Sequence, residues 1–515
     1  VTNGEWQRSR NTIDVRQLDQ KCQGRLHRSL ERTRIGSKLD IRTPFFDAQP
    51  RENIIERFKT EIGFTNYAEL TSIDEHEISK IGPFSIMLPW DKRRESVDAF
   101  RHQDFAANDD ALDRAQRMVA KLIQQSAFRP MDLSTATDSL PNGTLLGLPT
   151  MSSDEELRPE YLQRAKEAHS AEDCEPCVAG WRGQPAGMHV APKQRLVWMF
   201  DHLETILGLS ILYPVLSVLR GLNGFSAWGT DLEVDEAVTK LITQAEGRHV
   251  PIISADFEHF DSSVPYAMLE RAFDVLRYWY VDSVSDRLEL LLEIFSTVPL
   301  ITPDGVFSDR RGGVPSGSAL TNLIDTLVNV IAAHYVAVRL GVELVAFEAL
   351  GDDSVYVFDP FPGVKEVGAV LLELGLNSNP EKQFISEHSV HFLQRWHSSD
   401  YSIRGAYRGV RSVYRALSGM MGQERWVNES GTYRYLMSAR LIMQVENTRW
   451  HPYFQEIVKL VKEGDDLLRE GMSPEVIFRR AGGADAIRSA LHISSFPFNQ
   501  RDPALVESFE TVRVL

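Results

Sequence analysis

Residues Glu343 to Phe358 read ELVAFEALGDDSVYVF: an apolar run, the turn Leu350-Gly351-Asp352-Asp353, and a second apolar run. Two short β-prone runs meeting at a turn of Gly and Asp predict an antiparallel hairpin. Adjacent carboxylates at an exposed turn repel each other unless a cation lies between them. An oxygen-only cluster suits a hard ion, Mg²⁺ or Mn²⁺. Taken alone, the turn reads first as an ordinary hairpin loop rich in Gly and Asp.

Upstream, Val250 to Phe257 (VPIISADF) predicts a buried strand carrying Asp256 near its end, with Asp261 five residues on. Asp256 could share an ion with the hairpin if the two strands are neighbours; otherwise such a pair is a common strand-ending cap. Ser262 and Ser263 can cap the next helix, Pro265 suits its first turn, and Met268, Leu269, Phe273 and Leu276 recur at helical spacing. Next comes Gly312-Gly313-Val314-Pro315-Ser316-Gly317, where Gly317 allows flexing or close approach to a ligand. A helix is expected from near Ser316 to about Val338, striped by Leu320, Ile324, Leu327 and Ile331. Thr321, Asp325 and Asn329 fall at i, i+4 and i+8 on it, a polar line that capping does not explain. Lys365 to Leu374 predicts another helix, and from about Ser418 helical patterns dominate. Arg129 to Pro159, rich in Ser, Thr, Pro and Gly, reads as a long loop or insertion.

The whole chain of 515 residues is 43% hydrophobic and 25% charged, which excludes disorder and collagen. Its net charge of −16 argues against a duplex-coating protein. Residues 1–60, however, hold 13 Lys/Arg against 8 Asp/Glu, and ten of those cations lie between Arg8 and Arg42. That stretch is a solvated arm or an RNA- or partner-contacting one. The apolar run Ile206 to Leu219 is too short to span a bilayer and contains Pro214, and no signal pattern opens the sequence. Three cysteines make no disulfide framework, which fits a reducing compartment. Cys174-x2-Cys177 with His169 and His189 is half a zinc site at best, so free thiols are expected. The absence of a Walker-type loop argues against helicase or NTPase activity.

Asp256-x4-Asp261, then Ser316-Gly317-x3-Thr321, then Gly351-Asp352-Asp353 resemble motifs A, B and C of viral RNA-dependent RNA polymerases. Lys193-Gln194-Arg195-Leu196-Val197-Trp198 is similar to motif F, Lys382 stands at the motif D lysine, and Phe392-Leu393-Gln394-Arg395-Trp396 sits where motif E belongs. The resemblance covers roughly residues 180–415, and its wording is nearest to picobirnaviruses and partitiviruses. Many positive-strand virus polymerases have Asn where this chain has Asp325; Asp there resembles the partitivirus-like pattern. Gly147-Leu148-Pro149-Thr150 is either the template-contacting motif G or an ordinary turn, the latter preferred.

The resemblance implies an α+β right-hand polymerase with fingers, palm and thumb, its antiparallel palm sheet flanked by helices. Residues 1–250 would form the N-terminal region and fingers, 251–400 the palm with a fingers insert around 265–310, and 401–515 a mostly helical thumb and tail. It implies RNA synthesis from ribonucleoside triphosphates for genome replication and transcription, with Mg²⁺ or Mn²⁺ on Asp256, Asp352 and Asp353. Lys382 would be the general acid. Lys193 and Arg195 would hold the triphosphate, and Asp261, Ser316, Gly317, Thr321 and Asp325 would surround the nucleotide, sensing its ribose. Expected partners are RNA template and product and the viral capsid protein, with no membrane; the expected places are the virion interior and the host cytoplasm. A reverse transcriptase is the runner-up, although it should carry a bulky residue in place of Gly351. A catalytically inert palm-fold scaffold is the other alternative.

Overall fold

The Glu343–Phe358 hairpin forms as expected, with strands Glu343–Leu350 and Asp353–Asp359 paired antiparallel and Leu350 opposite Asp353. Gly351 makes the turn possible at φ +62°, a conformation other residues adopt at a cost. The computed structural model describes residues 6–7, 12–13, 18–140, 147–427, 431–491 and 502–515. Much of the stretch Arg8 to Lys21, the basic end of the expected arm, therefore lies outside the described residues, as do 141–146 of the expected insertion.

The hairpin is half of a four-stranded antiparallel sheet in the order Phe384–Ser386, Ile252–Ala255, Asp353–Asp359, Glu343–Leu350. Its register sets Ala255 opposite Ser354, so the next residue along, Asp256, falls beside Asp353. Strand period and pairing thus bring two carboxylates, distant in sequence, to one end of the sheet.

One face of this sheet is covered by the Thr321–Leu340 helix, whose Leu323, Ile324, Leu327, Val330 and Ile331 are fully buried. Burying such side chains contributes about 1.5–3 kcal/mol each before entropy is charged. The helix starts at Thr321 and not near Ser316, because Ser316 to Leu320 are spent on a turn with Gly317 at φ +134°. It stops at Gly341 in the left-handed conformation.

Two other sequence expectations are corrected. Ser262 and Ser263 do not cap the Tyr266–Trp279 helix; they end a separate four-residue helix, Phe260–Ser263, and Pro265 itself is the cap residue. Arg129 to Pro159 is not wholly loop, since Asp132 caps a helix at Leu133–Asp138 by accepting from the Ser134 and Thr135 amides.

A second sheet, in the order Lys193–Met199, Cys177–Gln184, Leu300–Thr302, Gly305–Phe307, stands apart from the first. The helix His202–Leu219 is longer than its apolar run, and with Thr321–Leu340 it is apolar enough to cross a membrane by length and composition. Both are mostly buried inside the protein, as core helices are. Helices dominate from Val413 onward, and the described end of the chain packs on them: Glu446 accepts from the Glu510 and Thr511 amides and the Thr511 hydroxyl. Residues 502–515 are therefore an element of this helical region.

Candidate active site

The end of the four-stranded sheet gathers Asp256, Asp352 and Asp353. Burial raises Asp353 to about 7, and the neighbouring charges of Asp352 and Asp256 add to it, while Arg195 and Arg415 partly offset them. Asp256 is also pushed above the usual carboxylate range by burial, against the fields of Lys382, Lys193 and Lys80. A cation at this point would reverse those shifts, and an all-oxygen donor set suits a hard divalent ion. Among the described residues no three carboxylates close into a ready-made cage. Cys174 and Cys177 are buried and form no disulfide.

The turn carrying Asp352 is locked from behind by the long helix. The Gly351 amide donates to Thr326 Oγ1 at 2.8 Å, and Asn329 Nδ2 donates to the Gly351 carbonyl at 2.9 Å. The Tyr356 hydroxyl donates to Asn329 Oδ1, closing the network. The polar line on this helix is hence divided in its work. Thr321 at its start receives the Gly317 amide at 3.3 Å and donates to the Pro315 carbonyl at 3.2 Å. Asn329 at the other end holds the hairpin.

Asp325 sits between them, 4% exposed, with Oδ1 lacking a hydrogen-bond partner among the described residues. Burial, then the charges of Asp261 and Asp352, drive its carboxyl well above the ordinary range, with Arg195 opposing. Asp261 accepts from the Ser316 hydroxyl and is itself raised, first by burial. Asp261, Ser316 and Asp325 therefore form one polar pocket beside the metal-type carboxylates.

Lys193 and Arg195 lie on the exposed side of strand Lys193–Met199, two residues apart as strand alternation requires. Their charges reach different carboxylates: Lys193 acts on Asp256, and Arg195 on Asp261, Asp325 and Asp353. The strand is joined to the glycine turn by the Trp198 amide, which donates to the Ser316 carbonyl at 2.8 Å. Lys382 follows the Val364–Glu373 helix as expected, but its Nζ is 2.5 Å from Glu258 Oε1, and this bond raises its pKa. It faces Asp256 from within an ion pair. The expected motif E is a hairpin, Ser389–Phe392 with Arg395–Ser398, turning at Leu393 and Gln394.

Sequence reasoning missed Lys80 and Arg415. They come from the Ala68–Lys80 and Val413–Met421 helices, and both pair with Glu77, at 3.3 and 3.1 Å. Their fields reach Asp256 and Asp353 respectively. No local pattern marks either residue, because each becomes part of the site only through chain folding.

The family model described as viral RNA-dependent RNA polymerase matches residues 97–450, well over half the chain and every site residue named above from Asp256 to Lys382. The chain belongs to this family. It is an RNA-directed RNA polymerase. The polymerase is 27% identical over 451 residues to a human picobirnavirus protein named a potential RNA-dependent RNA polymerase, covering 82% of each chain. It is 26% identical over 334 residues to the RNA-directed RNA polymerase of Cryptosporidium parvum virus 1, covering 61% of each. In fold, the polymerase superposes on the crystal structure of a human picobirnavirus RNA-dependent RNA polymerase with a TM-score of 0.82, over 95% of this chain and 96% of that one, at 24% identity. The right-hand α+β class read from the motifs is thus the observed one, and both the reverse-transcriptase and inert-scaffold alternatives give way.

Proposed function

We propose that this polymerase replicates and transcribes a viral RNA genome by two-metal-ion nucleotidyl transfer from ribonucleoside triphosphates. The observation that carries the reading is the convergence of Asp256 with the locked Asp352-Asp353 turn at one sheet end. Asp256, Asp352 and Asp353 would hold Mg²⁺, for which Mn²⁺ can substitute. When bound, such ions supply activation of the primer hydroxyl and neutralisation of charge on the transferred phosphate.

The chain's own side chains do the rest. Lys193 and Arg195 draw the triphosphate in and orient it by charge-assisted hydrogen bonds. Asp261, held by Ser316, accepts the ribose 2′-hydroxyl, the group that separates RNA from DNA precursors. Asp325, its carboxyl pushed up by burial and by its like-charged neighbours, lies in the same pocket, with Gly317 and Thr321 shaping its wall. Lys382 carries a proton toward the departing pyrophosphate once it separates from Glu258.

In the same reading, residues 1–250 serve as N-terminal region and fingers, 251–400 as palm with an insert around 265–310, and 401–515 as thumb and tail. RNA template and product are the partners. The likeness to viruses of double-stranded RNA extends the proposal to the capsid protein, the virion interior and the host cytoplasm. The test is labelled nucleotide incorporation on single-stranded RNA with Mg²⁺ or Mn²⁺, beside an Asp352→Ala control. Template-length product from ribonucleotides, lost in the control, is expected; an active control would sink the site assignment.

A further inference from the structure

The glycine turn from Gly312 to Leu320 is held at both ends from outside. At its start, buried Arg310 donates to the Gly312 and Gly313 carbonyls at 2.7 and 3.2 Å, its guanidinium lying 4.6 Å from the Trp198 ring centre. In its middle, Gly317 lies so close to strand Lys193–Met199 that an added Cβ would come 2.2 Å from the Trp198 carbonyl oxygen. At its end, the Ser318 hydroxyl donates to Glu204 Oε1 and accepts the Leu320 amide at 3.0 Å.

Glu204 has no evident reason to be where it is except this contact. It lies in the apolar His202–Leu219 helix, 1% exposed, and its Oε2 has no hydrogen-bond partner among the described residues. A carboxyl in such surroundings is costly to bury. Burial pushes it up to about 7, and the bonds from Ser318 and the Ala319 amide offset part of that. Four residues on, Gly208 lets the helix press against the same turn, where a Cβ would lie 2.9 Å from that of Ala319.

We propose that Glu204 is a positioning residue for ribose selection, acting through Ser318 and Gly317 on Ser316. The inference rests on the reading of Asp261 and Ser316 as the ribose-sensing pair. Two hydroxyl clamps flank the soft Gly317: Ser316 on Asp261, and Ser318 on Glu204. With the second clamp gone, the turn keeps its backbone bonds to Trp198 and Thr321 but loses a tie to the His202–Leu219 helix, and the Ser316 hydroxyl is held less firmly on Asp261. Lys193 and Arg195 stand on another strand and still hold the triphosphate. The loss therefore falls on discrimination between ribo- and deoxyribonucleotides more than on incorporation of ribonucleotides.

Single-nucleotide incorporation with Mg²⁺ tests this, read as the ratio of kcat/KM for a ribonucleotide to that for its 2′-deoxy analogue. Ser318→Ala and Glu204→Ala should each lower the ratio about three- to tenfold, the worth of one hydrogen bond. The double variant should fall by less than the two single losses combined, since Ser318 and Glu204 share a contact. Glu204→Gln should restore the wild-type ratio, because its amide oxygen keeps the acceptor. Ser318→Ala removes a single oxygen and keeps the test open if Glu204→Ala does not fold. Equal loss with both nucleotides in Ser318→Ala, while Ser316→Ala lowers the ratio, would overturn the proposal and leave Glu204 a purely structural support. An unchanged ratio in Ser316→Ala would instead overturn the ribose reading itself, and the proposal with it.

Discussion

Asn329 holds the Gly351 peptide: its side-chain amide reaches the Gly351 carbonyl at 2.9 Å while its own oxygen accepts the Tyr356 hydroxyl. One fully buried side chain on the long helix thereby sets the turn that presents Asp352. In Asn329→Ala the Gly351 carbonyl loses this partner, at about 1–3 kcal/mol if left unpaired, while the Tyr356 hydroxyl keeps its bond with Ser354. A lower urea midpoint and a slower nucleotide addition per folded molecule are expected, measured by denaturation and single-turnover incorporation.

The two glycines of the site should respond differently to alanine. At Gly317 the new Cβ would meet the Trp198 carbonyl at 2.2 Å in a backbone at φ +134°, so both sterics and conformation oppose it. At Gly351 the nearest neighbour would be Asn322 Oδ1 at 3.8 Å, leaving only the left-handed backbone, at about 1–2 kcal/mol. Gly317→Ala should abolish incorporation, while Gly351→Ala should keep a reduced rate and a folded thermal transition.

Replacing Asp352 by Asn removes a like charge that raises both Asp256 and Asp353. In chelator-treated protein above pH 7, Asp352→Asn should therefore melt at a higher temperature than wild type, yet incorporate nothing. Mn²⁺ should raise the melting temperature of wild type more than that of the variant. Equal shifts would remove Asp352 from the ion-binding set.

The Lys382–Glu258 pair is exposed, so breaking it should leave stability almost unchanged. Its effect belongs in the pH profile. Glu258 raises the Lys382 pKa, chiefly by their hydrogen bond, so Glu258→Gln lowers it and moves the alkaline limb of the pH–rate profile to lower pH. Lys382→Met should slow addition by about 10²-fold, the usual weight of a positioned general acid. Pre-steady-state incorporation across pH reads both.

Glu204 should also show in stability. Its carboxyl is raised from 4.5 to about 7 on folding, so the folded chain keeps a proton that the unfolded chain gives up above 4.5. The associated stability is complete below that lower value and is lost as pH rises through the upper one. Asp201 is the carboxylate that adds to the shift, and the facing Cys174 and Cys177 thiols are raised well out of this range. Relative to wild type, Glu204→Gln should thus gain stability as pH increases through this window, by at most about 1.4 kcal/mol per pH unit. Urea midpoints of both proteins at several pH values measure it.

Much of this site was legible in the chain before folding. The apolar runs on either side of Gly351-Asp352-Asp353 encode the hairpin, the run Val250 to Phe257 encodes its neighbour, and the spacing of Leu320, Ile324, Leu327 and Ile331 encodes the covering helix. These are local signals, carried by side-chain period and by the steric habits of Gly and Pro. Asp325 stood out for the same reason, as a charge on the wrong face of a helix. Errors fell at boundaries, such as the helix start at Thr321, where a turn competed with helix continuation.

The sequence by itself determined the elements, their order and the polymerase motifs they bear. Tertiary structure alone decided which distant groups meet: Glu77 with Arg415, Lys382 with Glu258, Glu204 with Ser318, and Asn329 with Gly351. Such pairs depend on how helices and strands pack across long stretches of chain. Their energies are those of burial and hydrogen bonding in three dimensions, and they leave no local trace in the order of the residues.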